Sequence, residues 1–150
     1  VEKRGLGRTG LLVSPIALGG AAFAWEHKAT GRDPRSEDGR RKAIATINAA
    51  LDRGINYIDI APASGDGDGE MLIGEVMRAR RQVCVLASKV WYELDRQGAV
   101  DSVHASLKRL NTDRIDILQD LVRAAAGGPV QHVLDWFHIA MRRGYGRSSR

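Results

Sequence analysis

The sequence predicts an α/β fold: four parallel strands alternating with helices, preceded by a short β-hairpin. Three observations predict it. Apolar runs of strand length alternate repeatedly with stretches whose apolar residues recur at helical spacing, the pattern of parallel strands joined by right-handed crossovers. Ala50 to Asp59 reads as a helix end, a glycine stop and a short strand finishing on an acid. Further on, Val83 to Ser88 is a second apolar strand that finishes on a lone Lys89.

Taken in order, the hairpin comes first, with Gly7-Arg8-Thr9-Gly10 as its turn. The first parallel strand is Ile16 to Leu18, ending at Gly19-Gly20, where a backbone without side chains admits a close approach. Ala21 to Glu37 is a loop rich in Gly, Pro and charge, expected over the face where the strands end. The first long helix covers Asp38 to Arg53. Ala43, Ile44, Ile47, Ala50 and Leu51 recur along it at helical spacing, and Gly54 is placed to cap its end. Strand two is Tyr57 to Ile60. Helix two starts near Gly69 and carries Met71, Leu72, Val76 and Met77. Strand three is Val83 to Ser88, helix three Val100 to Leu110, and strand four Ile115 to Gln119. A final amphipathic stripe joins Val130, Val133, Leu134, Phe137 and Met141.

Composition narrows the function classes. At 150 residues, 43% hydrophobic and 27% charged, the chain can bury a core as one globular domain. No apolar run reaches the length of a membrane span and the first residues carry no signal-peptide pattern, so no membrane partner is expected. The single cysteine, Cys84, lies between two valines and reads as a small buried strand residue, which suits a reducing cytoplasm. The net charge of +5 comes from arginine clusters near helix ends. Without interleaved aromatics to stack on bases, they read as a solvated face rather than a specific nucleic-acid site.

Where neighbouring parallel strands open onto one rim, an Asp and a Lys delivered by successive strands lie close enough to pair. An ordinary strand-end salt bridge is the plain alternative. The residues around this pair extend into a wider pattern. It opens with Arg4-Gly5-Leu6-Gly7-Arg8-Thr9-Gly10-Leu11-Leu12-Val13-Ser14 and Ile16-Ala17-Leu18-Gly19-Gly20. It continues through Ala50 to Ala61, Leu86-Ala87-Ser88-Lys89-Val90 and Ser106 to Leu110, and ends with Thr112 to Gln119. In order and spacing it resembles the aldo-keto reductase family.

The resemblance implies the N-terminal half of a TIM (β/α)8 barrel over residues 1–119, its bottom plugged by the hairpin. A whole barrel takes about 250 residues. The half is expected to leave its first and fourth strands as bare edges, open to self-association.

The family reduces aldehydes and ketones with NADPH, using an Asp, a Tyr, a Lys and a His. The Tyr is the general acid, and the Lys, held by the Asp, stabilises its anion. Matched residue by residue, the Asp is Asp59 and the Lys is Lys89. The Tyr position holds Ser64, and the His position after strand four holds Leu121 beside Asp120. Tyr57 and Tyr92 are the nearby phenols, with Tyr57 expected to pack inside strand two.

The nicotinamide end of the cofactor would meet the backbone near Gly20 and Asp59. The adenine and phosphate grip would come from the second half of the barrel. The run Gly65-Asp66-Gly67-Asp68-Gly69-Glu70 matches the family's Gly-x-Gly-x-Ser-Glu turn, with Gly69 in place of a Ser that could cap helix two. Its acids would repel phosphate, and it lacks the remaining ligands of a calcium loop. His27, Asp33 and Glu37 show no metal spacing.

These readings add up to a truncated or degenerate aldo-keto reductase with little or no activity on small carbonyl substrates, or else a non-catalytic half-barrel interaction module. After Gln119 the family pattern stops. Within the tail, 120–150, Val133 to Arg142 resembles a segment of acidic-triad insertion-element transposases, in which Asp135 would bind a metal. The plain reading of that segment is an ordinary fourth helix.

Overall fold

The structure, a computed structural model, describes residues 1–26, 31, 33–91 and 94–121. The expected last helix, the transposase-like segment, His27 and Tyr92 lie outside the described residues.

β1 (Arg4–Gly5) and β2 (Leu12–Val13) pair antiparallel, and the hairpin is closed by the Leu6 N–H donating to the Leu11 carbonyl at 2.9 Å. Its turn uses Gly7 and Gly10 at φ of 53° and 76°, a left-handed backbone that glycine adopts without a Cβ penalty. The hairpin is tied to the body through Asn56. Asn56 Oδ1 accepts from the Ser14 N–H at 2.7 Å, and Asn56 Nδ2 donates to the Leu12 carbonyl at 2.9 Å.

The main sheet has four parallel strands in the order β3 (Ala17–Gly19), β4 (Tyr57–Asp59), β5 (Val85–Trp91) and β6 (Ile117–Leu121). Between them run α1 (Glu37–Asp52), α2 (Asp68–Arg80) and α3 (Arg96–Arg109). The expected α/β architecture is therefore present: a hairpin followed by four parallel strands linked by helices. Ser36 starts α1 by accepting the Gly39 N–H at 3.1 Å, and Gly54, at φ 82°, follows its end as the left-handed stop.

Several boundaries differ from the sequence expectation. Strand three does not begin at Val83. Arg81–Val83 forms a 3₁₀ turn extending α2, and Val83 is exposed. The strand also does not finish at Lys89, because β6 pairs with it through Lys89↔Gln119, Val90↔Asp120 and Trp91↔Leu121. Helix three starts at Arg96 rather than Val100, since Asp95 Oδ1 accepts the Gly98 N–H at 2.7 Å and caps it there. Helix two is capped by Gly67, in a left-handed conformation and with no side-chain bond, so Gly69 is already inside the helix. Of the apolar residues that helix two carries, Met71 is exposed, while Ile73 is fully buried.

Strand alternation divides the buried residues into two cores. Ile58 and Leu86 point to the helices and pack with Ile47, Leu51, Ile73, Val76 and Met77. Tyr57, Val85 and Ala87 point the other way, where Val13 of the hairpin, with Leu6 and Leu11, covers them. The hairpin thus seals the end of the sheet opposite the rim that carries Asp59, as the resemblance implies, and Tyr57 is packed within its strand.

Candidate active site

Asp59 is the last residue of β4, in register with Gly19 of β3 and Ala87 of β5. Lys89 stands two residues beyond Ala87, on the same face of the sheet. Its ammonium donates to Asp59 Oδ1 at 2.6 Å and to the Ile60 carbonyl at 3.0 Å. The two side chains are 17% and 22% exposed, so the pair is shielded yet reachable from the rim. The two charged residues expected to meet do meet.

Gly20 has a different reason from the one the sequence suggests. A methyl there would come within 2.4 Å of Ile60 Cδ1 and 2.9 Å of Ile73 Cδ1, so two isoleucines occupy the room that its missing side chain leaves. Gly19, in register with Asp59, is the glycine whose side-chain direction is open.

Ser64 opens a short turn, Ser64–Gly67, between β4 and α2, and is buried. Three consecutive residues there, Gly65, Asp66 and Gly67, have φ of 60°, 55° and 95°. Ala24 presses on the turn, because a methyl on Gly65 would meet the Ala24 carbonyl oxygen at 2.7 Å. Ala24, soon after β3, therefore packs against the turn that follows Asp59. A methyl on Gly69 would come within 3.3 Å of Ser64 Cβ, which leaves little room for a larger residue on that side. The backbone of Leu121 closes β6 opposite Trp91.

Two residues that the sequence reading passed over belong to this end of the sheet. Gln119, in register with Lys89, is 2% exposed, and its Nε2 has no hydrogen-bond partner among the described residues. Glu70 is fully buried beneath the rim, accepting from Ser88 Oγ at 2.9 Å and from Arg109 Nε at 2.7 Å. It locks α2, β5 and α3 together. The signal for both was strand and helix alternation, which places Gln119 on the Lys89 face and Glu70 on the inner side of α2.

The donor set fits only one end of a nicotinamide cofactor. Lys89, Asp59 and the open backbone at Gly19 could face a nicotinamide ring. For the phosphates, the described rim offers no free cation cluster: Arg35 Nε is held by Asp68 at 2.7 Å, and Asp66 is an exposed acid. No group of three or more His, Cys, Asp or Glu residues among the described residues could hold a metal.

The sequence pattern of the Aldo/keto reductase family matches residues 15–120. The chain is 35% identical over 130 residues to aldo-keto reductase YhdN of Bacillus subtilis, covering 79% of this chain and 37% of that protein. It is 35% identical over 131 residues to 6-dehydroglucose reductase of Novosphingobium aromaticivorans, covering 77% and 40%. Among solved structures it is similar to an aldo-keto reductase from Klebsiella pneumoniae in complex with NADPH. The TM-score is 0.66 at 27% identity, over 96% of this chain and 47% of that one. A parallel sheet with this rim defines the first part of an aldo-keto reductase barrel, and the chain belongs to the aldo/keto reductase family. It spans about 37–40% of the length of the curated relatives it matches.

Proposed function

We propose that these 150 residues form a degenerate aldo-keto reductase half-barrel, which keeps the family's lysine–carboxylate pair but performs little or no carbonyl reduction. The observation that carries this reading is the content of the two proton-handling positions, Ser64 and Leu121. In the family's chemistry the hydride comes from NADPH and the proton from a tyrosine. A phenol with a pKa of about 10 donates near neutrality only when an ammonium stabilises its anion. Lys89 is positioned to do so, but Ser64 is a far weaker acid on a shorter side chain and cannot replace the phenol. Leu121 has no polar atom with which to orient a carbonyl oxygen. Loss of general acid catalysis alone removes about a hundred- to ten-thousand-fold of rate.

NADPH and small carbonyl compounds are the cofactor and substrate class this ancestry supports, with Asp59, Lys89 and the open backbone at Gly19 at the nicotinamide end. The residues present do not fit the phosphate end, so no step is assigned to the bound cofactor. Residues 120–150 are read as a divergent tail. The end of the family match at residue 120 and the loss of the family's His support that reading. The test is NADPH consumption by the purified chain with a panel of aldehydes. The expected rate equals that of buffer. Turnover that Lys89→Met abolishes would show an active site and overturn the reading.

A second reading, a non-catalytic module that pairs through its sheet edges, is favoured by one observation. Among the described residues no strand pairs with the outer edges of β3 and β6, and Ile16 and Leu118 beside them are exposed. Light scattering on the purified chain separates the two: a dimer supports this reading, and a well-folded monomer opposes it.

A further inference from the structure

The outer face of α2, on the far side of the sheet from Asp59 and Lys89, carries a groove that the reductase reading leaves unused. Arg40, Met71, Glu75, Arg78, Lys108 and Arg109 line a groove of about 580 Å³ between α2 and the end of α3. It exists because Gly74 lets the two helices close up. A methyl on Gly74 would come within 2.2 Å of the Arg109 carbonyl oxygen. A smaller hollow between α2 and the loop before α1 continues from it, sharing Arg40, Met71 and Glu75. Met71 is common to both and 49% exposed, a large apolar side chain turned away from the core its neighbours fill.

The charges around Met71 are unbalanced. Arg40 is held by Glu75 through two N–H donors, and Arg109 is held by the buried Glu70. Arg78 and Lys108 are exposed and form no ion pair with a carboxylate of the described residues. The carbonyls that end α3 are already engaged, with Ser106 O accepting from Leu110 and Lys108 O from Asn111. Arg78 lies in the last turn of α2 and Lys108 in that of α3, so the helix ends offset part of each charge without supplying a carboxylate. The result is an exposed methionine flanked by two positive side chains that no carboxylate of the described residues holds, to which a carboxylate-bearing chain is complementary.

We propose that this groove docks an acidic peptide segment of a partner protein, with one apolar side chain against Met71 and carboxylates at Arg78 and Lys108. The proposal is independent of reductase activity. The test is fluorescence polarisation at physiological salt with a labelled short peptide of glutamates around a central leucine. The expected result is saturable binding, weakened about tenfold or more by the double charge reversal Arg78→Glu/Lys108→Glu. Met71→Gln is expected to weaken binding while leaving the circular dichroism spectrum unchanged. Three results would overturn the proposal. They are no saturable binding, equal affinity for an all-glutamate peptide lacking the leucine, and displacement of the peptide by duplex DNA at lower concentration than by unlabelled peptide. Both variants change exposed residues, and a melting temperature equal to the parent chain's separates lost docking from lost folding.

Discussion

Burial pushes the Cys84 thiol up to about 12 from an ordinary 9.0, because a thiolate there would lose its hydration. The neighbouring Arg81 opposes the shift and Asp116 adds to it. In the unfolded chain the thiol ionises near pH 9, whereas the folded chain keeps its proton up to about pH 12. Its contribution is therefore whole below pH 9 and is lost as the pH rises toward 12, by up to ~4 kcal/mol. Urea midpoints of the parent chain and of Cys84→Ala should converge, or cross, over that window. Midpoints that stay parallel would refute it.

Cys84 is buried as expected but is not a strand residue: it links the 3₁₀ turn to β5, and its neighbour Val83 is exposed. Asp59 and Lys89 were legible, because a lone charge at the end of an apolar run stands out in sequence. For Gln119 and Glu70, alternation gives the face on which each lies but not its burial. A buried amide or carboxylate is recognised by its tertiary partners, and Ser88 and Arg109 come to Glu70 from 18 and 39 residues away.

At the scale of elements, α1, which has a glycine stop, was placed to within a residue, and α3, which an aspartate starts, was not. The end of α1 follows from Gly54, a local requirement for a left-handed residue. The start of α3 depends on Asp95, whose carboxylate accepts the Gly98 N–H, ahead of the first periodic apolar residues. Replacing Asp95 with Ala removes that acceptor and should cost about 1 kcal/mol, as cap deletions typically do. The loss should appear as a lower urea midpoint, and in hydrogen exchange as faster opening confined to the first turn of α3. Uniform faster exchange across the sheet would contradict a local cap. The extension of β5 past Lys89 was illegible for a related reason: its last residues are strand only because β6 pairs with them.

In the molecule as a whole, one sheet separates two apolar layers, and this division is what holds the rim in place. The helix-side core contains Ile47, fully buried, while the hairpin-side core contains Val13 against Tyr57, Val85 and Ala87. Of the second set, the sequence marked only Tyr57 as packed within its strand. It did not show that a few hairpin residues close the second layer, since that contact joins segments 44 residues apart, as in the bond from Asn56 to Leu12. Ile47→Val removes one methyl from the first layer and should cost about 0.5–1.5 kcal/mol. Val13→Ala removes two from the second and should cost about 1–2 kcal/mol at ~0.8 per buried carbon. The two sites lie on opposite faces of the sheet and share no side-chain partner. In the double variant their costs should therefore add to within about 0.5 kcal/mol. Chemical denaturation of the four chains in this cycle measures the sum directly. A coupling energy well beyond that margin would mean that the hairpin and the helices stabilise a single core. Loosening the plug would then also disturb the Asp59–Lys89 pair, instead of leaving it anchored by α2, β5 and α3 through Glu70.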